Sequence, residues 1–193
     1  MSDDRYDPAA IAAARDRLFV LSGCSGGGKS SVLAELARRG HRVFPEAGRQ
    51  VIREQNHIGG DGVPGRDALK FVELSASRAL HQMILASGDP RPAFFDRSMV
   101  DQVSYLERLG LAVPPALENA VQRCRYHRRV FVVPPWPEIF RNDPERTQSF
   151  DGALANYASL LRTYDRLGYE RVMLPQASVA ARADLVLRTL ADG

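Results

Sequence analysis

Apolar residues in this chain fall into two alternating regimes, short unbroken runs and longer stretches with a three-to-four-residue repeat. The runs are "LFVL" at 18 to 21, "RVF" at 42 to 44, "PAFFD" at 92 to 96, "RVFVV" at 129 to 133 and "RVML" at 171 to 174. A short run bounded by polar residues predicts a strand buried on both faces, as in the middle of a parallel sheet.

The stretches between the runs carry helical spacing. Val32, Leu33, Leu36 and Ala37 share a face that ends in Arg38, Arg39 and Gly40, and a second helical segment starts near 47. Leu69, Val72, Ala76, Leu80 and Met83 mark one face of a long helix, followed by helical stretches from about Met99 to Leu109 and from Ala116 to Cys124. Asp151 is placed to cap a helix through Leu154, Tyr157, Leu160, Leu161 and Tyr164 that Gly168 closes, and Ser178 opens a last helix through Val179, Ala183, Val186 and Leu190. Asn56 to Asp67, rich in turn formers, reads as a loop.

Strand and helix in alternation predict an α/β fold, a three-layer α/β/α domain around a five-stranded, mainly parallel sheet. In such sheets ligands sit at the carboxyl ends of the strands. Residues 1–16 read as a polar, partly helical lead-in, and 17–193 as a single nucleotide-binding domain.

Composition narrows the class. Of 193 residues, 45% are hydrophobic and 25% charged, which is ordinary globular usage, and no apolar run has membrane-spanning length. The opening "MSDDRYDPAA" lacks a cationic start, and Cys24 and Cys124 match no metal-ligand spacing, so a cytoplasmic protein with reduced thiols is expected. The net charge of +3 comes almost wholly from arginine, because Lys29 and Lys70 are the only lysines. A lysine at a meaningful position therefore weighs more than any single arginine. "RCRYHRR", Arg123 to Arg129, reads as a solvated helix end rather than a nucleic-acid face, since aromatic interleaving is missing.

One segment carries explicit chemistry. "GCSGGGKSS", Gly23 to Ser31, fits G-x-x-x-x-G-K-[ST] and lies between an expected strand and an expected helix, the context this motif requires. Gly26, Gly27 and Gly28 leave backbone amides free to face phosphate oxygens beside a helix N-terminus, with Ser25 and Ser31 flanking them. Lys29 supplies a point charge to the outer phosphates, and Ser30 a hydroxyl ligand to Mg²⁺.

Other candidates lie at strand ends. In "FFDRS", Asp96 is placed to reach Mg²⁺ or an acceptor hydroxyl, and Arg97 to neutralise a moving phosphoryl group; the alternative is a turn with Arg97 and Asp101 as an exposed ion pair. Glu46 and Arg49 in "FPEAGRQ" are acceptor-site candidates or an exposed i,i+3 pair. Arg141 and Arg146 in "RNDPERTQ" belong to a segment that closes over a nucleotide, or to an inert loop. The histidines show no metal spacing, and neither an H-E-x-x-H helix nor an N-K-x-D guanine motif is present, so ATP is preferred over GTP.

With the loop, "FPEAGRQVI", "FFDRSMVDQVSYL", "RVFVVPPWPEIFRNDPERTQSF" and "LGYERVMLP" read together, the chain resembles the small P-loop kinase-like domains of the AAA superfamily. Among these it is similar to the ribosylnicotinamide kinase region of the bacterial NAD-biosynthesis regulator, and more distantly to deoxynucleoside kinases. The resemblance implies ATP and Mg²⁺ binding, with Glu46, Asp96-Arg97-Ser98, Arg141 and Arg146 in positions similar to the kinase acceptor and closing motifs. Residues 56 to 86 have no clear counterpart, so the acceptor does not carry over.

The resulting expectation is transfer of the γ-phosphate of ATP to a small hydroxyl- or phosphate-bearing acceptor, nucleoside-like, by a monomer or homodimer. The rival is a nucleotide-dependent switch or slow NTPase acting through a partner or a phospholipid ligand. Arg97 stands where motor ATPases carry a glutamate, and the length leaves little room for the added helical domain of a ring-forming motor.

Overall fold

A computed structural model describes residues 6–140 and 149–191. Five strands, β1 (Leu18–Gly23), β2 (Arg42–Phe44), β3 (Ala93–Asp96), β4 (Arg129–Val133) and β5 (Glu170–Met173), form one sheet in the order β2-β3-β1-β4-β5. Every pairing is parallel, with Leu21 opposite Asp96, Phe44 opposite Phe95, and Gly23 opposite Val133. The carboxyl ends of β1, β3 and β4 therefore share one rim.

Burial follows the order. All six residues of β1 are buried, whereas the outer strands β2 and β5 are half-buried or exposed and carry Arg42, Glu170 and Arg171. Charges on the outer strands discourage edge-to-edge pairing.

The eight helices among the described residues are α1 (Ala10–Ala14), α2 (Lys29–Arg38), α3 (Ala47–Ile58), α4 (Ala68–Ser87), α5 (Met99–Arg108), α6 (Pro115–Arg123), α7 (Phe150–Arg166) and α8 (Val179–Ala191). Alternate strand residues face opposite sides. Phe19, Leu21, Phe94, Phe131 and Val133 meet Val32, Leu33 and Leu36 of α2 and Ala183 and Val186 of α8. Leu18, Val20, Phe95, Val130 and Val132 meet the remaining helices, with Phe95 stacked on Phe44 at 4.8 Å and edge-on to Tyr126 at 5.2 Å. The outcome is the three-layer α/β/α arrangement, in which Ile11 and Ala14 of α1 are also fully buried.

Three local expectations change. The helix α3 continues through Asn56 to Ile58 and ends at Gly59 (φ 70°), so the irregular segment is shorter than 56–67. The cap of α7 is Ser149, whose Oγ accepts from the Gly152 amide at 3.1 Å, and Asp151 sits in the first turn. On α4, Leu69 is 42% exposed, while Phe71, Ser75 and Gln82 are buried. That helix packs between α3, α5 and the core, so its buried arc includes polar positions that a hydropathy repeat passes over.

Candidate active site

The loop after β1 is shaped by contacts no side chain would allow. A Cβ on Gly23 would lie 2.3 Å from the Val133 carbonyl oxygen in β4, and its φ of 115° is unfavourable for any residue with a side chain. Gly28, immediately before α2, has φ 81°, and a Cβ there would lie 2.9 Å from Arg182 Nη1. The loop is stitched down by Cys24 N–H donating to Val133 O at 3.0 Å and Gly27 N–H to Cys24 O at 3.2 Å.

With the loop ending in the first turn of α2, the leading amides of that helix have no carbonyl of their own to bond and present donors and a positive dipole end to an anion. Lys29 opens the helix. It is 3% exposed, and its ammonium donates to Cys24 O at 2.8 Å and approaches Gly23 O at 3.4 Å. Ser30 and Ser31 are exposed in the same turn, and Ser25 is half-buried. Burial pushes the Cys24 thiol above its ordinary pKa, against the lowering pull of Lys29 and Arg97, so the loop holds a neutral thiol.

On the same rim, β3 ends in Asp96, 9% exposed, followed by Arg97 with φ 68°, the sole non-glycine residue of positive φ among the described residues. Such a backbone is held only where surroundings over-determine it. Arg97 N–H donates to Leu21 O at 2.9 Å, and its guanidinium meets Glu46 at 3.2 Å and Asp101 at 2.9 Å. Burial acts to lower the Arg97 pKa, but the carboxylates of Glu46, Asp101 and Asp96 outweigh it and hold the guanidinium above its ordinary value.

The pairing of Arg97 with Asp101 exists, but it is internal rather than exposed: the side chains are 18% and 5% accessible. Asp101 accepts from Ser22 Oγ at 2.6 Å, Ser98 N–H at 3.0 Å, Ser98 Oγ at 3.1 Å and Tyr164 OH at 2.8 Å. Together with Ser98 it forms the capping box of α5. One carboxylate thereby fixes the start of α5, the end of β1 and the orientation of Arg97.

Glu46, Arg49 and Arg97 face a cleft of about 420 Å³ that also reaches Gly23 and Ser25 of the loop. Arg49 Nε lies 3.9 Å from Glu46, so this i,i+3 pair sits on the cleft wall. Apolar walls come from Ile52, Phe71 and Leu160, aromatic ones from Tyr105 and Tyr157, and polar groups from Gln102, Arg108 and Asn156. Phe71 and Tyr105 meet edge to face at 5.9 Å. Of the wall residues, Phe71, Arg108 and Asn156 are marked by no sequence pattern.

The residues fit Mg²⁺ by donor chemistry: the Ser30 hydroxyl is exposed in the first turn of α2, and the Asp96 carboxylate ends the strand beside β1. Such hard oxygen donors suit that ion together with water and phosphate oxygens. Arg141 and Arg146 lie outside the described residues. The residues flanking that stretch are well anchored: Phe140 packs against Gly26 and, edge-on, against Phe150 at 5.2 Å, while Gln176 Nε2 donates to Pro135 O at 2.8 Å. Lys70 is bound to Asp61, away from the loop.

Comparison with known proteins agrees with this architecture. A deoxyadenosine kinase from M. mycoides, solved with dCMP and dCDP, superposes with a TM-score of 0.67 at 13% identity, covering 91% of this chain and 99% of its own. A NadR protein in complex with NR gives a TM-score of 0.69 at 15% identity, covering 92% of this chain and 51% of its own, so the chain spans about half of that protein. No curated protein matches the sequence. Residues 18–182 match the AAA domain family, and the chain belongs to that family, built on a P-loop kinase-like α/β fold.

Proposed function

We propose that this protein transfers the γ-phosphoryl group of Mg²⁺-ATP to a small hydroxyl-bearing, nucleoside-like acceptor bound in the cleft. The observation that carries the reading is the position of Glu46, held 3.2 Å from Arg97 on a cleft that is continuous with the phosphate loop. A carboxylate there is placed to take a proton from an acceptor hydroxyl, and the loop is placed to hold the donor phosphates.

In this reading Glu46 accepts the hydroxyl proton as the acceptor oxygen bonds to the γ-phosphorus and the bond from that phosphorus to the ADP oxygen breaks. Glu46 then releases the proton to solvent. Arg97 orients Glu46 and offsets charge on the moving group, and Lys29 swings from Cys24 O to the phosphates. Arg141 and Arg146 are proposed to add further cationic charge. Mg²⁺, held by Ser30 with Asp96, would neutralise phosphate charge when bound. Positioning and electrostatics supply most of the rate.

The wall chemistry favours a flat, partly polar ring: Phe71, Tyr105 and Tyr157 offer aromatic surfaces and Gln102 one amide donor and one acceptor. The names of the structural neighbours, a deoxyadenosine kinase and a protein holding NR, support the same class. A reaction of this kind belongs in a reducing, ATP-rich cytoplasm.

Incubation with γ-labelled ATP and a panel of nucleosides, vitamins and sugars tests the proposal. Label in an acceptor supports it. Label released solely as free phosphate favours the switch or slow NTPase instead.

A further inference from the structure

Arg182 is the fourth residue of α8, and its side chain runs to the back of the phosphate loop. It is 3% exposed. Nη1 donates to Gly27 O at 3.1 Å, and the guanidinium presses on Gly28, where a Cβ would lie 2.9 Å from Nη1 and 3.1 Å from Nη2. Its Cζ lies over the Trp136 ring, 5.3 Å from the ring centre.

Among the described residues nothing negative matches the charge of this group. Arg39 and Arg97 each meet carboxylates, but among the described residues no carboxylate pairs with Arg182, and its buried Nε makes no hydrogen bond. Burial pushes its pKa below the ordinary value. A cation sequestered without an anion is costly, and its position makes the cost larger. It lies near the N-terminus of its own helix and against the N-terminus of α2, where two helix dipoles present positive ends and Lys29 adds a second buried cation. A polyanion entering from the front of the loop would offset all four.

We infer that Arg182 is a positioning residue of the nucleotide site, gripping Gly27 and Gly28 from behind while its charge is balanced across the loop by the polyphosphate of the bound nucleotide. The inference rests on the nucleotide reading proposed above. Without nucleotide the group is a buried liability; with nucleotide it becomes a source of affinity. Arg182 does not line the cleft, so its effect falls on nucleotide binding and not on acceptor binding.

The test compares the full-length protein with R182M and R182K by calorimetric titration of Mg²⁺-ATP, with emission from Trp136, the chain's one tryptophan, as a second readout. R182M is expected to weaken Mg²⁺-ATP binding about tenfold or more, while the KM for acceptor stays within about twofold. Its nucleotide-free melting temperature is expected to be unchanged or raised, because an unmatched buried charge has been removed. R182K, which keeps the charge without the planar fork, is expected to recover affinity to within about threefold of the parent protein. An R182M protein that binds Mg²⁺-ATP as the parent does, or that loses its fold or melts lower without nucleotide while keeping affinity, overturns the inference. If the unaltered protein binds no nucleotide, the proposed function itself fails, and the two failures are told apart by the parent titration alone.

Discussion

Ser22 and Asp101, 79 residues apart in sequence, are joined by a 2.6 Å hydrogen bond from the serine hydroxyl to the carboxylate. Ser22 precedes the first glycine of the phosphate loop, and Asp101 also holds Arg97, which in turn meets Glu46. The loop and the cleft beside it are therefore fixed to each other by one buried carboxylate.

Asp101→Asn places an amide where four neutral donors and a guanidinium converge, and it leaves Arg97 one carboxylate short. Loss of about 3–5 kcal/mol is expected, read by urea unfolding. A loss under about 1 kcal/mol, the scale of a solvated pair, would contradict the buried network.

Gly23→Ala sets a methyl group 2.3 Å from the Val133 carbonyl oxygen and forces alanine to φ 115°. Destabilisation of more than about 3 kcal/mol is expected in the same assay. Stability within about 0.5 kcal/mol of the parent would show that the loop and β4 are not apposed as described.

Glu46→Gln keeps the size of the side chain and removes the proposed base. Turnover should fall on the order of 10²–10⁴-fold, while the KM for ATP changes less than about threefold. Steady-state kinetics with saturating acceptor separates these terms, and an unchanged turnover removes Glu46 from the mechanism.

His127 gives the fold a pH dependence. Burial holds its pKa below the ordinary 6.5, and its Nδ1 accepts from the Arg129 amide at 3.1 Å, which requires the neutral ring on that nitrogen. The unfolded chain binds the proton first as pH falls, so this group's contribution is present above pH 6.5 and is lost as pH drops from there towards the folded pKa. Unfolding free energies from pH 7.5 to 5 should fall less steeply in His127→Gln than in the parent, about pH-independent for this group; identical slopes would remove His127 as the source.

The strands and the phosphate loop are legible in the sequence because each is set by neighbours in the chain: unbroken apolar runs for Leu18–Leu21 and Val130–Val133, and fixed spacing for Gly23 through Ser30. Pairing at a distance leaves no such trace. The i,i+4 spacing of Arg97 and Asp101 is visible, but their burial depends on Ser22 and Tyr164, and so the pair reads as exposed. Arg182 reaches Gly27 across 155 residues and is one arginine among many. Ser149 and Asp151 are both good caps, and the earlier start of α7 places Phe150 against Phe140, a tertiary contact that local pattern does not contain. Gln102 and Phe71 show no spacing signal because their shared feature is one cleft wall.

The most direct test of the central claim, that the Gly23–Ser31 loop encloses a nucleotide's polyphosphate, is calorimetric titration of Mg²⁺-ATP into the parent protein and into Lys29→Ala. Saturable one-site binding is predicted for the parent, weakened at least about a hundredfold in Lys29→Ala with its melting temperature in the absence of nucleotide preserved. Absence of binding heat in the parent across several temperatures with any purine triphosphate, or equal affinity in the two proteins, would contradict the account.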